Sequence, residues 1–396
     1  MKVVQINGVC GIGSTGKIAA AVSKLLTEQG IENYILYSSL NTDDPLGIKF
    51  SNRPYQLFQA GLSRILGNDG LNCIWSTQNL IRHIEKIGPD VALIHNIHSH
   101  DVNLKILFAY FRKNPKTKIY YVFHDCWAFT GYCPHFSMLK CGAWTSECNS
   151  CPYRKTVSWF FDRSGFVFNE KKKALRNQNL TIITPSQWLA DLVRQSFLKD
   201  YPVKVIHNGI DLNIFRPTES NFREKYGIPK DKYLLLGVAF GWGRQKGLDV
   251  FLELANRLDS EKFQIVLVGT DETVDRRLPK QIISIHRTQN RQELTEIYTA
   301  ADLFVNPTRE ENYPTVNMES IACGTPVLTF RTGGSPEIVD KTTGAVVDCD
   351  DVDALEREIV RICTEKPYTK DACLKKAEEF DSRARFEEYV RILAGD

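Results

Sequence analysis

No run of apolar residues in this chain approaches the roughly 18 that a membrane-spanning helix needs, so an integral helical membrane protein is excluded. Internal repeats of solenoid period are missing, and so is any low-complexity tract, which sets aside a repeat array. No nucleic-acid-binding motif is present. The basic clusters are short, Arg112 to Lys118 and Lys171-Lys172-Lys173, so nucleic acid is not expected as a partner. The opening, Met1 to Gly8, holds one Lys and a very short apolar run, and reads as a first β-strand rather than a signal peptide. A cytoplasmic location is the expectation. Cysteines there are reduced, catalytic or metal-bound more often than paired in disulfides.

What is present fits a soluble enzyme. The 396 residues are 43% hydrophobic and 24% charged, with 25 Gly and 16 Pro. That length suits two domains of about 150–200 residues each. The net charge of +3 hides an asymmetry. Residues 1–200 carry 23 Lys and Arg against 14 Asp and Glu, a balance of +9, and residues 201–396 carry 27 against 33, a balance of −6. The basic half suits an anionic partner such as a lipid phosphate or a membrane surface, or is simply a solvated face.

Short β-branched runs alternate with amphipathic stretches, the pattern of parallel sheets with helices on both faces. Strands are expected near 2–6, 33–37, 90–95, 118–123 and 180–184, then near 233–238, 263–268, 282–285, 302–305 and 326–329. Helices are expected near 17–29, 78–87, 102–113 and 186–197, then near 247–258, 291–299, 315–322 and 351–364. Two such series predict an α/β protein of two Rossmann-like domains facing a central cleft, with ligands at the carboxyl ends of the strands. Only residues 124–165, rich in Cys, aromatics and turn formers, break the pattern.

The stretch Asn306 to Glu319 follows an apolar strand. Pro314 suits the first turn of a helix, where its missing N–H costs nothing. The amides at such a start, with the positive end of the dipole, form an anion site. Glu311 falls on the loop before this helix, and Glu319 about one and a half turns into it. Two carboxylates so placed can accept hydrogen bonds from sugar hydroxyls; an ordinary acidic helix start would look the same. A second segment, Phe240 to Leu248, contains Gly241, Gly243 and Gly247 with Arg244 and Lys246, and a cation there can neutralise a leaving diphosphate. Gly11 to Lys17 satisfies G-x4-G-K, but Ile18 stands where a phosphate-binding loop needs Ser or Thr for Mg²⁺, which sets aside a nucleotide hydrolase.

Together these segments resemble the large retaining glycosyltransferase family numbered four. Glu311 and Glu319 have its E-x7-E spacing. Ala322-Cys323-Gly324-Thr325-Pro326-Val327, the turn Gly333-Gly334-Ser335-Pro336-Glu337, and Val205 to Asp211 with Phe215-Arg216-Pro217 match its further signatures. The likeness covers nearly the whole chain and is nearest to the branch serving bacterial capsule, exopolysaccharide and O-antigen assembly.

The resemblance implies the GT-B fold. A first, acceptor-binding domain would span 1–203 with the Cys-rich insert 124–165. A nucleotide-sugar domain would span 204–380, and a helix at 381–396 would cross back. It implies a UDP- or GDP-linked donor, a glycan or polyprenyl-diphosphate-linked acceptor, no cofactor for catalysis, and a protein peripheral on the inner face of the plasma membrane. Glu319 would hold the ribose hydroxyls and Glu311 the donor sugar. Asn312, Tyr313 and Thr315 would contribute to the diphosphate cradle, with Lys246 and Arg244 at the leaving group. Gly13 and Gly16 would line the site, and His124 would hydrogen-bond a sugar hydroxyl. The chain departs from the family in having Asn312-Tyr313-Pro314 where Gly-Phe-Gly is usual, and Gly241 where an Arg is usual; proline removes one amide donor.

Cys126, Cys133, Cys141, Cys148 and Cys151 crowd into the insert. Cys148-x2-Cys151 is a knuckle spacing, and with Cys133 and Cys141 it supplies four thiolates, enough for a tetrahedral structural zinc. His135 could replace one of them, and small buried residues or a redox-labile pair are the plainer reading. Competing functions are a GT-B nucleotide-sugar epimerase or phosphorylase, and a non-catalytic, zinc-stabilised binding protein for sugars or polyprenyl phosphates.

Overall fold

The computed structural model describes residues 1–98 and 100–395. The chain divides into two compact units, Met1–His207 with the residues from Phe386 onward, and Asn208–Arg385. The boundary falls beyond residue 203 because a last short strand, Val203–Val205, still belongs to the first sheet.

The first unit is built on seven parallel strands: β1 (Lys2–Asn7), β2 (Glu32–Tyr37), β3 (Gly47–Lys49), β4 (Val91–Ile94), β5 (Lys118–Val122), β6 (Leu180–Thr184) and β7 (Val203–Val205), in the order β3-β2-β1-β4-β5-β6-β7. Alternate residues of one strand enter different cores. Val4 and Ile6 join Phe108, Phe111 and Leu189, while Val3 joins Val22, Leu26 and Tyr389. A sheet buried on both faces needs helices on both, which is why its strands are near-continuous apolar runs. The helices are α1 (Gly13–Glu28), α2 (Arg53–Leu66), α3 (Ile74–Ile87), α4 (Leu104–Lys113), α5 (Ser164–Leu175) and α6 (Gln187–Gln195).

The second unit repeats the plan with β8 (Tyr233–Val238), β9 (Phe263–Val268), β10 (Ile282–Ile285), β11 (Leu303–Asn306), β12 (Val327–Phe330) and β13 (Gly344–Val347), ordered β10-β9-β8-β11-β12-β13. Its helices are α7 (Leu248–Arg257), α8 (Arg291–Ala300), α9 (Thr315–Ala322), α10 (Val352–Glu365) and α11 (Lys370–Ala377). A final helix, α12 (Ser382–Ala394), starts in the second unit and ends in the first. There Phe386, Tyr389, Val390 and Leu393 bury against Val3, Val91 and Val122, and the Tyr120 hydroxyl donates to the Ile392 carbonyl at 2.9 Å.

Both sheets reverse strand order beside their first strand, the point where ligands bind open α/β sheets. Among the described residues no helix is long and apolar enough to cross a membrane.

Candidate active site

In the second unit the loop after β11 carries Glu311 and the turn after β8 carries Lys246. Lys246 Nζ stands 2.6 Å from Glu311 Oε2, and both side chains are partly exposed. The two loops are stitched together. The Arg309 N–H donates to the Gln245 carbonyl at 2.8 Å, and the Arg309 guanidinium donates to the Arg244 carbonyl, to both oxygens of Asp249 and to Asp350. Arg309 is only 8% exposed, so this fork sits inside the loops it joins.

Two glycines are fixed by crowding. A Cβ on Gly247, where φ is +76°, would lie 2.4 Å from the Pro307 carbonyl oxygen. A Cβ on Gly333, where φ is +55°, would lie 1.8 Å from the Glu311 carbonyl oxygen, while the Gly334 N–H donates to Asn312 O at 2.7 Å. The glycine turn therefore presses directly on the backbone that presents Glu311.

Pro314 sits at the N-cap of α9, one position before the first turn expected for it. Thr315 and Val316 then open the helix, and their amides have no carbonyl one turn earlier to bond. The Asn312 N–H instead donates to Glu311 Oε1 at 3.2 Å, so this member of the expected cradle faces its neighbour's carboxylate. Tyr313 is buried among the core side chains of the unit. Glu319 accepts a hydrogen bond from the Tyr298 hydroxyl at 3.1 Å; burial, and then Glu319, push that phenol well above its usual range. Arg244 is exposed and gives its backbone carbonyl to Arg309.

Asp-x-Asp spacing, which metal-dependent transferases use, occurs at Asp348-Cys349-Asp350 and Asp351-Val352-Asp353. Here Asp348 pairs with Arg331, Asp350 with Arg309 and Asp353 with Arg257, while Asp351 caps α10 through the Ala354 N–H.

In the first unit the glycine-rich loop leads from β1 into α1. Gly13 is exposed at the helix start with φ +68° and open space around it. Gly16 is buried: a Cβ there would press on Val9, and its carbonyl accepts the Gly11 N–H at 3.1 Å. Only Gly13 of the two therefore offers a surface; Gly16 closes the loop.

His124 follows β5 in a small cavity that His95, His98, Asp125 and Trp127 also line. Gln5 gives its Nε2 to the Ala19 carbonyl, so its Oε1 accepts from His95 Nε2 at 3.1 Å. His95 Nδ1 is then the acceptor for His124 Nε2–H at 3.4 Å. Burial, with Asp125 opposing it and His98 adding to it, brings His124 down to about 4, so the imidazole is neutral. His98 is the opposite case. Burial disfavours its cation, but Asp125 at 2.9 Å outweighs that and raises its pKa. Burial likewise works against ionised Asp125, yet His98 and the Trp127 N–H hold that carboxyl at about 2.

The cysteine segment is held by a lysine. Lys171 of α5 is fully buried and donates to the carbonyls of Trp127, Thr130 and Gly131 at 2.7, 3.1 and 3.2 Å, with its ammonium 3.5 Å from the Trp127 ring centroid. Cys133 hydrogen-bonds Cys151, and the Gly131 N–H donates to Cys148 Sγ at 3.2 Å. The four thiols are neighbours: the hydrogen bond to Cys151, burial and the nearby Cys148 and Cys141 push the Cys133 thiol up. Among the described residues no three His, Cys, Asp or Glu side chains stand in a ready-made group for a metal ion.

Sequence reasoning missed Arg309, Tyr298 and the His98–Asp125 pair. The signal for Arg309 was its place between the apolar strand and Glu311; its acidic partners lie far away in sequence.

Two family models match the chain: Glycosyltransferase Family 4 over residues 16–214, half of the chain, and Glycosyl transferases group 1 over residues 232–365. This chain belongs to glycosyltransferase family 4. As a family 4 glycosyltransferase it is 23% identical to WcaC of Escherichia coli (strain K12), a glycosyl transferase named for colanic acid biosynthesis, over 99% of both chains. Among solved structures it superposes on sucrose-phosphate synthase of Thermosynechococcus elongatus with TM-score 0.71, at 17% identity and full coverage of both chains. It superposes on HepE of Anabaena, solved in complex with UDP, with TM-score 0.69, at 14% identity and full coverage of both. At such identities the superpositions show the fold, GT-B.

Proposed function

We propose that this glycosyltransferase moves a hexose, with retention at the anomeric carbon, from a UDP- or GDP-linked donor to a hydroxyl of a growing, polyprenyl-diphosphate-linked bacterial surface glycan (capsule, exopolysaccharide or O-antigen). Its place of work would be the inner face of the plasma membrane, where such acceptors are held. The full-length likeness to WcaC supports the pathway class, and HepE, captured with UDP and with UDP-glucose, supports the donor class.

The observation that carries the reading is the Lys246–Glu311 pair at 2.6 Å beside the start of α9, with Glu319 in the same helix. Lys246, Arg244 and the Thr315 and Val316 amides would take the charge that develops on the departing diphosphate. Glu319 would accept from the ribose hydroxyls and Glu311 from a sugar hydroxyl. The acceptor oxygen bonds to the anomeric carbon on the face from which the phosphate leaves. The breaking C–O bond's electrons stay on the phosphate oxygen, which takes the acceptor's proton. Neutral His124 would hold a sugar hydroxyl. A structural zinc at the insert cysteines rests on their spacing and on the amide N–H given to Cys148.

Incubation of the purified chain with UDP- and GDP-hexoses and a polyprenyl-diphosphate sugar tests this. Transfer by the native chain, lost in Lys246→Ala and Glu311→Ala variants that keep their circular dichroism, is the expected result. Undiminished transfer by both variants contradicts it. Epimerised donor without acceptor would favour the epimerase, and donor binding without turnover the non-catalytic protein.

A further inference from the structure

Helix α2 is inside out. The residues it buries are Gln56, Gln59 and Ser63, and among those it exposes are Leu57, Phe58 and Ile65 at 57%, 66% and 43%. The polar inner face is partnered in part: Gln56 Nε2 donates to Ser39 and Asp101, and Gln59 accepts from the Cys73 N–H, while Gln56 Oε1 and Ser63 Oγ are buried without a hydrogen-bond partner among the described residues. Leu57, Phe58 and Ile65 on the outer face belong to none of the unit's three apolar clusters among the described residues. A helix oriented this way loses on both faces if its outside is water.

The apolar outside continues beyond the helix at both ends. At its start the Tyr55 ring meets Trp75 at 5.1 Å, and Trp75 and Ile74 are themselves 45% and 56% exposed. At its end the Trp159 N–H donates to the Arg64 carbonyl at 2.8 Å, and the run Trp159-Phe160-Phe161 is exposed by 53%, 61% and 57%. Three consecutive aromatic side chains in solvent are not left there by chain geometry alone. Ser158 is buried and anchors the run by donating to the Arg64 carbonyl, and Arg154 donates to the Phe160 carbonyl.

Cations are interleaved with this surface. Helix α2 holds Arg53 and Arg64 and no acid, and residues 152–166 hold Arg154, Lys155 and Arg163 against Asp162 alone. Asp162 is turned back onto the Cys151 and Ser164 amides. The Arg64 and Arg163 guanidinium groups lie over the Trp159 and Phe166 rings. Trp and Phe with Arg and Lys between them match the layered chemistry of a bilayer surface, acyl chains below and anionic headgroups above.

We propose that α2 and the Trp159-Phe160-Phe161 run form the docking face of this protein for an anionic lipid bilayer. The proposal deepens the reading of a lipid-linked acceptor and rests on it for its purpose; its physical warrant is the inverted helix and the interleaved charge. The insert thereby gains a role separate from any metal: it carries the aromatic run.

Co-sedimentation of the full chain with phosphatidylcholine vesicles, with and without phosphatidylglycerol, tests it. The native chain is expected to partition onto the phosphatidylglycerol vesicles and more weakly onto phosphatidylcholine alone. Trp159→Ser/Phe160→Ser/Phe161→Ser, and separately Leu57→Ser/Phe58→Ser, should each lower that partition by roughly tenfold or more, with the thermal midpoint unchanged. A native chain that stays in solution with both vesicles overturns the proposal. So does a triple variant that binds as well as the native chain, or a dimer seen by light scattering that the triple variant abolishes while vesicles have no effect. Stabilisation by UDP- or GDP-hexose is read in parallel. If it persists while vesicle binding fails, the surface falls and the donor site stands; if it is missing from the native chain, the functional reading falls.

Discussion

Lys246 Nζ and Glu311 Oε2 are 2.6 Å apart, so the cation expected at the leaving group and the carboxylate expected at the sugar are neighbours. The pair is partly exposed, and such pairs add about 0–1 kcal/mol to stability. Lys246→Ala should therefore leave chemical denaturation nearly unchanged while lowering kcat by roughly 10²–10³. A large loss of stability with unchanged kcat would reverse the assignment.

Gly333 is where the site depends on one absent methyl group. With φ at +55° and the Glu311 carbonyl 1.8 Å from the position of a Cβ, Gly333→Ala must shift the loop. The expected cost is roughly 2–4 kcal/mol, with activity lost in the fraction that remains folded. Gly13→Ala, where space is open, is the control and should cost about 1 kcal/mol.

Arg309 is the brace. Arg309→Ala leaves Asp249 without its bidentate partner and frees the Arg244 carbonyl. Because Asp249 and Asp350 are themselves half-exposed, the cost is set at about 1–3 kcal/mol, below that of a fully buried pair. Arg309→Lys should not restore it, since an ammonium cannot span both carboxylate oxygens and the carbonyl. Urea unfolding of both variants measures this.

The histidines of the first unit respond to pH in opposite senses. His98 is raised by Asp125, so its contribution to stability is full below the ordinary histidine value of about 6.5 and fades as pH rises through the raised value. Asp125, held at about 2, contributes above the ordinary carboxylate value and loses it as pH falls toward 2. His124, lowered to about 4 mainly by burial, costs stability as pH falls from about 6.5 toward 4. His98→Gln should therefore lose more stability at pH 5 than at pH 9, and His124→Gln should flatten the acid side of the curve. Urea midpoints across that range, with imidazole proton shifts, check both.

Lys171 and the cysteines are tested together. Lys171→Met leaves three carbonyls without their donor and should cost roughly 2–4 kcal/mol. Metal analysis of protein purified under reducing conditions should find stoichiometric zinc if the cysteines are ligands; a folded, metal-free chain removes the metal from the account.

Much of the fold was legible because buried parallel strands are continuous apolar runs and their helices repeat at 3.6 residues. Tyr233–Val238, Phe263–Val268 and Ile282–Ile285 lie where periodicity puts them. Helix α2 was not legible, because its buried face is polar and its apolar face is outside. Edge strands such as Gly47–Lys49 are too short to show a period. Of the candidate site, Glu311, Glu319 and Lys246 were singled out by the family resemblance more than by spacing alone, and the structure sets Lys246 beside Glu311. Gly16 and Asn312 were read as ligand contacts, but their backbone groups are engaged within the loops, which only coordinates reveal.

Calorimetric titration of UDP, GDP and their parent nucleosides into the native chain and into Lys246→Ala reads the diphosphate site itself. One diphosphate is expected to bind, its nucleoside far more weakly, and Lys246→Ala to lose most of that difference. Equal affinities of nucleoside and diphosphate, or an unchanged difference in Lys246→Ala, would contradict the diphosphate site.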